Sequence, residues 1–193
     1  MLRTRTAAGL AAAGALALAT AVATPASAST TGDQQGNGTT TVVLNPALVP
    51  TLVDTLKVRT VTPGMLSAPG GVAQVSFPIT RIKGGVISHV GGLEFTPVGG
   101  GDLKITKFDV DTNTGYLTAV TRLNGKKLPS RVKIFALGAV QPVNGAAPAC
   151  AGVPAGLTLT SDAANALGAP SFAGAFVGDA CVVPATDGHG DDD

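Results

Sequence analysis

The chain has 193 residues, of which 45% are hydrophobic but only 4% aromatic, with one tyrosine and no tryptophan. Thirteen basic residues against twelve acidic ones give a formal charge of +1, and removing Arg3 and Arg5 leaves −1. Basic residues outnumber acidic ones between 42 and 186 but form no run, and there is no aromatic platform for stacking. The balance therefore speaks against nucleic acid and against electrostatic capture by an anionic membrane.

The N-terminal stretch MLRTRTAAGLAAAGALALATAVATPASAST reads as a secretory signal over residues 1–28. Arg3 and Arg5 form the positive start, an Ala- and Leu-rich run follows, and Ala26-Ser27-Ala28 supplies the small residues for cleavage before Ser29. An uncleaved anchor helix fits less well, because the run is short and Ala-rich. No cysteine follows the run to carry a lipid, and no later apolar stretch is long enough to span a bilayer. The mature chain is expected to be exported, extracellular or loosely held at the cell envelope, with no integral membrane segment. Residues 29–40, STTGDQQGNGTT, read as a flexible leader, 41–186 as a single β-rich domain, and 187–193 as a disordered acidic tail.

Within the domain, TVVL (41–44) predicts a strand, and NPALVPTLVDTL (45–56) a short helix with Asn45 as N-cap and Pro46 in the first turn. Pro50 leaves the start of that helix uncertain in register. KVRTVTP (57–63) is extended. From residue 72 the pattern is of short β segments separated by glycine: 72–82, VISHV (86–90), LEFTPV (93–98), LKITKFDVD (103–111) and YLTAVTRL (116–123). Asn124-Gly125 signals a hairpin whose partner is SRVKIFALG (130–138). GLTLT (156–160) is a strand, and SDAANALG (161–168) a short helix with Ser161 as N-cap and Gly168 as stop. ACVVP (180–184) closes the sheet. The fold class is mainly β, an antiparallel sandwich or barrel-like domain with two short helices.

Cys150 and Cys181 are the two cysteines of an exported chain, so a disulfide is expected. A redox or metal pair would need close CxxC spacing or further ligands, and neither is present.

His89 is the single histidine of the body. Strand parity places Ile87, His89, Leu93 and Phe95 on one face, with Gly91 between and Glu94 on the other. It reads either as a ligand-binding imidazole on an apolar wall, with glycines opening space for a flat ligand, or as a hydrogen-bonded histidine at a strand end. DVDTNTG (109–115) alternates oxygen side chains as a calcium loop does, but its glycine is one place late and Val120 stands where a bidentate glutamate belongs, so the residues favour a polar hairpin turn over a calcium loop. G-x-S-x-G, HExxH and phosphate-binding glycine loops are absent. No catalytic residue and no metal site is assigned.

The order of VAQVSFPI, VISHVGGLEF, LKITKFDVD, GYLTAV, GLTLTSDAANALG and CVVP resembles the Htaa domain of secreted and surface proteins of high-GC Gram-positive bacteria. The resemblance implies a β-rich fold and, for active members, haem binding in iron acquisition. It matches His89 to the family's histidine, which supports a haem-ligating tyrosine near the start of the domain. Here that segment, TTVVLNPALVPTLVDTLKV, has no tyrosine, and Tyr116 matches a different strand. The expected function is thus a non-enzymatic binding or envelope-associated module for an unknown small ligand or surface partner, without a cofactor. The alternatives are a haem-binding protein using His89 and a small hydrolase whose site the sequence does not reveal.

Overall fold

The computed structural model describes residues 37–97, 101–142 and 149–185; the signal segment, most of the leader and the acidic tail lie outside them. Twelve strands form one antiparallel sheet. In chain order they are β1 (Gly38–Leu44), β2 (Arg59–Val61), β3 (Met65–Ser67), β4 (Gln74–Lys83), β5 (Val86–His89), β6 (Gly92–Phe95), β7 (Leu103–Asp111), β8 (Tyr116–Leu123), β9 (Lys126–Lys127), β10 (Val132–Gly138), β11 (Val153–Leu159) and β12 (Phe176–Pro184).

Eight of them close into a barrel. β1 lies between β4 and β12, β12 pairs with β11, β11 with β10, β10 with β8, β8 with β7, β7 with β5, and β5 with β4. Of the two architectures the pattern predicts, the barrel is the one formed. Closure leaves no open edge along the circuit, and every strand turns alternate residues inward. Val42, Val75, Phe77, Ile79, Ile105, Leu117, Ala119, Leu157 and Val182 fill the interior.

The remaining strands adorn the wall. β5 and β6 form one broken strand against β7, interrupted at Val90-Gly91, and β7 answers with a bulge where the register shifts between Thr106 and Asp109 and Lys107 takes φ 53°. Past this kink β6 no longer meets β4. β2 pairs with β6, β3 pairs with β4, and the turn between them fills the opening. Two glycines make this possible: a Cβ on Gly92 would lie 2.1 Å from the Ile105 carbonyl oxygen, and one on Gly91 2.8 Å from the Gly64 nitrogen.

Local sequence signals are met with small displacements. The first strand begins at Gly38, inside the segment expected to be leader. Asn45 closes its own turn, its Oδ1 accepting from the Ala47 N–H at 3.1 Å, while the helical turn is Thr51–Thr55. Pro50 leads into that turn with φ −59°, which proline already favours. The helix α1 (Ser161–Ala166) is capped by Thr160 rather than Ser161, the Thr160 hydroxyl accepting from the Ala163 N–H at 3.2 Å, and it stops at Gly168 with φ 67°. The Asn124-Gly125 turn leads to the two-residue β9, and the hairpin resumes as β10 after an interruption. Asp111 organises the 111–115 turn by accepting from the Asn113 and Thr114 N–H groups, and Asp109 is held by Arg131 at 2.9 Å, so both carboxylates serve the turn and the bulge.

Cys150 and Cys181 are joined, with Cα atoms 5.5 Å apart and a separation of 31 positions in sequence. The bond ties the segment entering β11 to the middle of β12. Replacing both cysteines with serine is expected to lower stability by about 3–4 kcal/mol, as loop-closure entropy predicts for a ring of this length; chemical denaturation of wild type and double variant measures it.

Candidate functional site

Thr40, His89, Thr121 and Asp179 are the buried polar side chains among the described residues. Two of them meet. β1 turns Thr40, Val42 and Leu44 inward, β5 turns Ile87 and His89 inward, and across the interior Thr40 Oγ1 lies 2.7 Å from His89 Nε2. The parity expected from sequence holds through the kink, since His89, Leu93 and Phe95 share the inner face while Glu94 stays outside. His89 Nδ1 has no hydrogen-bond partner. The Thr40 hydroxyl has no other hydrogen bond among the described residues. Letting it donate to Nε2 therefore leaves a single orphan, an Nδ1–H, whereas the opposite tautomer leaves two. Burial pushes the imidazole below its ordinary value, outweighing the Phe108 backbone, the Asp109 charge and the Ile87 backbone, which act the other way. His89 is a neutral, polar spot on a greasy wall.

That wall lines a partly open cavity of about 130 Å³, bordered by all eight barrel strands. Leu48, Leu52 and Leu56, from the segment after β1, and Leu167 and Phe172, from α1 and the turn after it, cap it. Thr40 and His89 are the buried polar side chains that line it; Thr51, Arg59 and Thr60 also border it but are not buried. Sequence reading found His89 but missed Thr40. Its only local signal is a polar residue at an inward position of an apolar strand, and the partner is 49 residues away.

Among the described residues no carboxylate borders the cavity. Tyr116 does not border it either; it precedes the inward Leu117, and the Lys133 ammonium sits 4.2 Å from its ring centre. Among the described residues no three His, Cys, Asp or Glu side chains gather as a metal site, and no helix is long and apolar enough to cross a membrane.

No family model and no curated relative matches the chain. Among solved structures, the chain is similar to the haem-binding protein HtaB from Corynebacterium glutamicum, with a TM-score of 0.51 at 10% identity over 75% of this chain and 90% of that one. The C-terminal domain of HtaA from the same organism aligns with a TM-score of 0.43 at 15% identity, covering 76% and 98%. The likeness is one of fold, and it agrees with the fold-level resemblance read from the segment order.

Because His89 takes up a proton less readily folded than unfolded, the unfolded chain gains protons first as pH falls through 6.5. Stability is expected to be full above that value, to decline below it, and to depend less on pH in His89→Phe. Urea midpoints from about pH 7.5 to about pH 5 report the slope. Thr40→Val, which strands the buried ring, is expected to cost about 1–3 kcal/mol at neutral pH.

Proposed function

We propose that the chain is an exported, non-enzymatic binding module whose small, largely apolar ligand occupies the barrel interior against His89 and Thr40. The observation that carries this reading is the largely apolar cavity with one buried neutral polar pair in its wall. At about 130 Å³ the space is near that of an apolar cavity able to hold one benzene ring (~150 Å³) and below the ~300 Å³ at which drug-sized pockets begin. A molecule about one ring in size fits that space. The export signal and the want of a membrane-spanning helix among the described residues support a place outside the cell.

Haem is the second reading, since the fold neighbour HtaB is named for binding it. His89 offers a nitrogen ligand, but the hydroxyl beside it comes from Thr40, and the one tyrosine does not border the cavity. A hydrolase would use Thr40 as nucleophile and His89 as base, and their 2.7 Å separation meets that first requirement. Among the described residues no carboxylate borders the cavity to hold the ring from its far side, and Thr40 lies mid-strand with neighbours on both sides. A binding role fits these facts better.

Methyl NMR of the purified mature protein titrated with phenol is expected to shift interior Leu and Val resonances in fast exchange. Ala180→Leu, which fills the cavity, is expected to abolish the shifts while the protein stays folded. Haemin titrated into the same protein is expected to give no Soret band that depends on His89. A shifted band lost in His89→Ala replaces this proposal with the haem reading.

A further inference from the structure

The basic residues that form no run in the sequence form a row in the sheet. Registered pairs place Glu94 opposite Lys104, Lys104 opposite Arg122, and Arg122 opposite Lys127. Inward neighbours Leu103, Ile105 and Thr121 are buried, so Lys104 and Arg122 point outward, where Arg122 and Lys127 are exposed. Interstrand spacing of about 4.8 Å sets three cations side by side along roughly 10 Å of the barrel wall. Arg122 Nη1 donates to the Gly125 carbonyl at 3.3 Å, which holds the guanidinium over the hairpin.

Acidic compensation is thin. Glu94 stands at one end of the row, shared in register with Arg59, and Asp102 lies beside Asn124. The ion pair among the described residues is Arg131–Asp109, which includes no member of the row. Like charges directly opposite one another destabilise a sheet. Lysines on an edge strand guard against edge-to-edge pairing, which accounts for β9. Lys104 and Arg122 lie on strands with partners on both sides, where no edge needs guarding.

We infer that the outer face of β7, β8 and β9 binds a linear phosphate-bearing polymer. Arg122 supplies a planar fork for phosphate, and Lys104 and Lys127 supply point charges on either side of it, while Lys126, opposite the core-packed Leu123, alternates to the other face. A membrane surface is a poorer match. The exposed large hydrophobic residues are Val53, Met65, Leu66, Ile82, Val153 and Val183, none of them on these strands, and a membrane-seeking face places apolar side chains beside its cations. This site is independent of the proposed binding site inside the barrel.

The test is fluorescence anisotropy of labelled polyphosphate with the mature protein. Binding is expected to weaken about 20-fold between about 50 and 200 mM salt, as roughly three phosphate contacts require. Arg122→Glu with Lys127→Glu is expected to weaken it at least about tenfold, and Arg81→Glu with Lys83→Glu, on another wall, less than about twofold, with thermal melts confirming that both fold. No binding at the lower salt, or equal loss in the two pairs, overturns the assignment. Phosphatidylglycerol vesicles captured more tightly than the polymer also overturn it, in favour of a membrane.

Discussion

The closure of the barrel by β1 is the constraint on which the rest depends. This strand, the first described element of the chain, sits between β4 and β12, pairing Thr41 with Ser76 on one side and with Cys181 on the other. Without it two long strands would face solvent with unpaired edges, and the interior lined by Phe77, Ala180 and Val182 would lie open. The same strand delivers Thr40 to His89, so the one polar contact of the cavity exists only when the barrel is shut. The disulfide reinforces this seam from outside, because Cys181 lies directly opposite Thr41.

A regular barrel of this strand number is just filled by its own side chains. Here the kink after His89, the bulge at Lys107 and the insertion of β2 and β3 widen one side of the wall. Arg131 braces the bulge through Asp109 at 2.9 Å and Thr118 Oγ1 at 3.1 Å. The extra width is roofed by leucines after β1 and by the α1 region, and their imperfect filling is the cavity. A wall that departs from regularity where its one buried histidine sits is better placed to hold a ligand than an evenly packed one.

Strand alternation separates two kinds of chemistry on one barrel. Inward positions hold almost nothing that can carry charge, and the interior offers an apolar surface with one buried polar pair. Outward positions of β7 to β9 gather cations whose charge water and counterions screen. The two surfaces are separated by one sheet, and a ligand for either need not disturb the other.

The β-rich class, the strand limits of β7 and β8, the disulfide partners and the inward direction of His89 were legible in the sequence, because each rests on local pattern or on a count of two cysteines: alternation, turn residues and the one pairing available. The stop at Gly168 was legible for the same reason, while the cap moved by one residue because Ser161 and its neighbour Thr160 are chemically equivalent there. The choice of barrel over sandwich, the pairing of β1 with β12, the insertion of β2 and β3, the Thr40 partner and the alignment of Lys104, Arg122 and Lys127 were decided by the tertiary structure alone. Each depends on the register between strands far apart in the chain, and register is set by the mutual burial of many side chains at once.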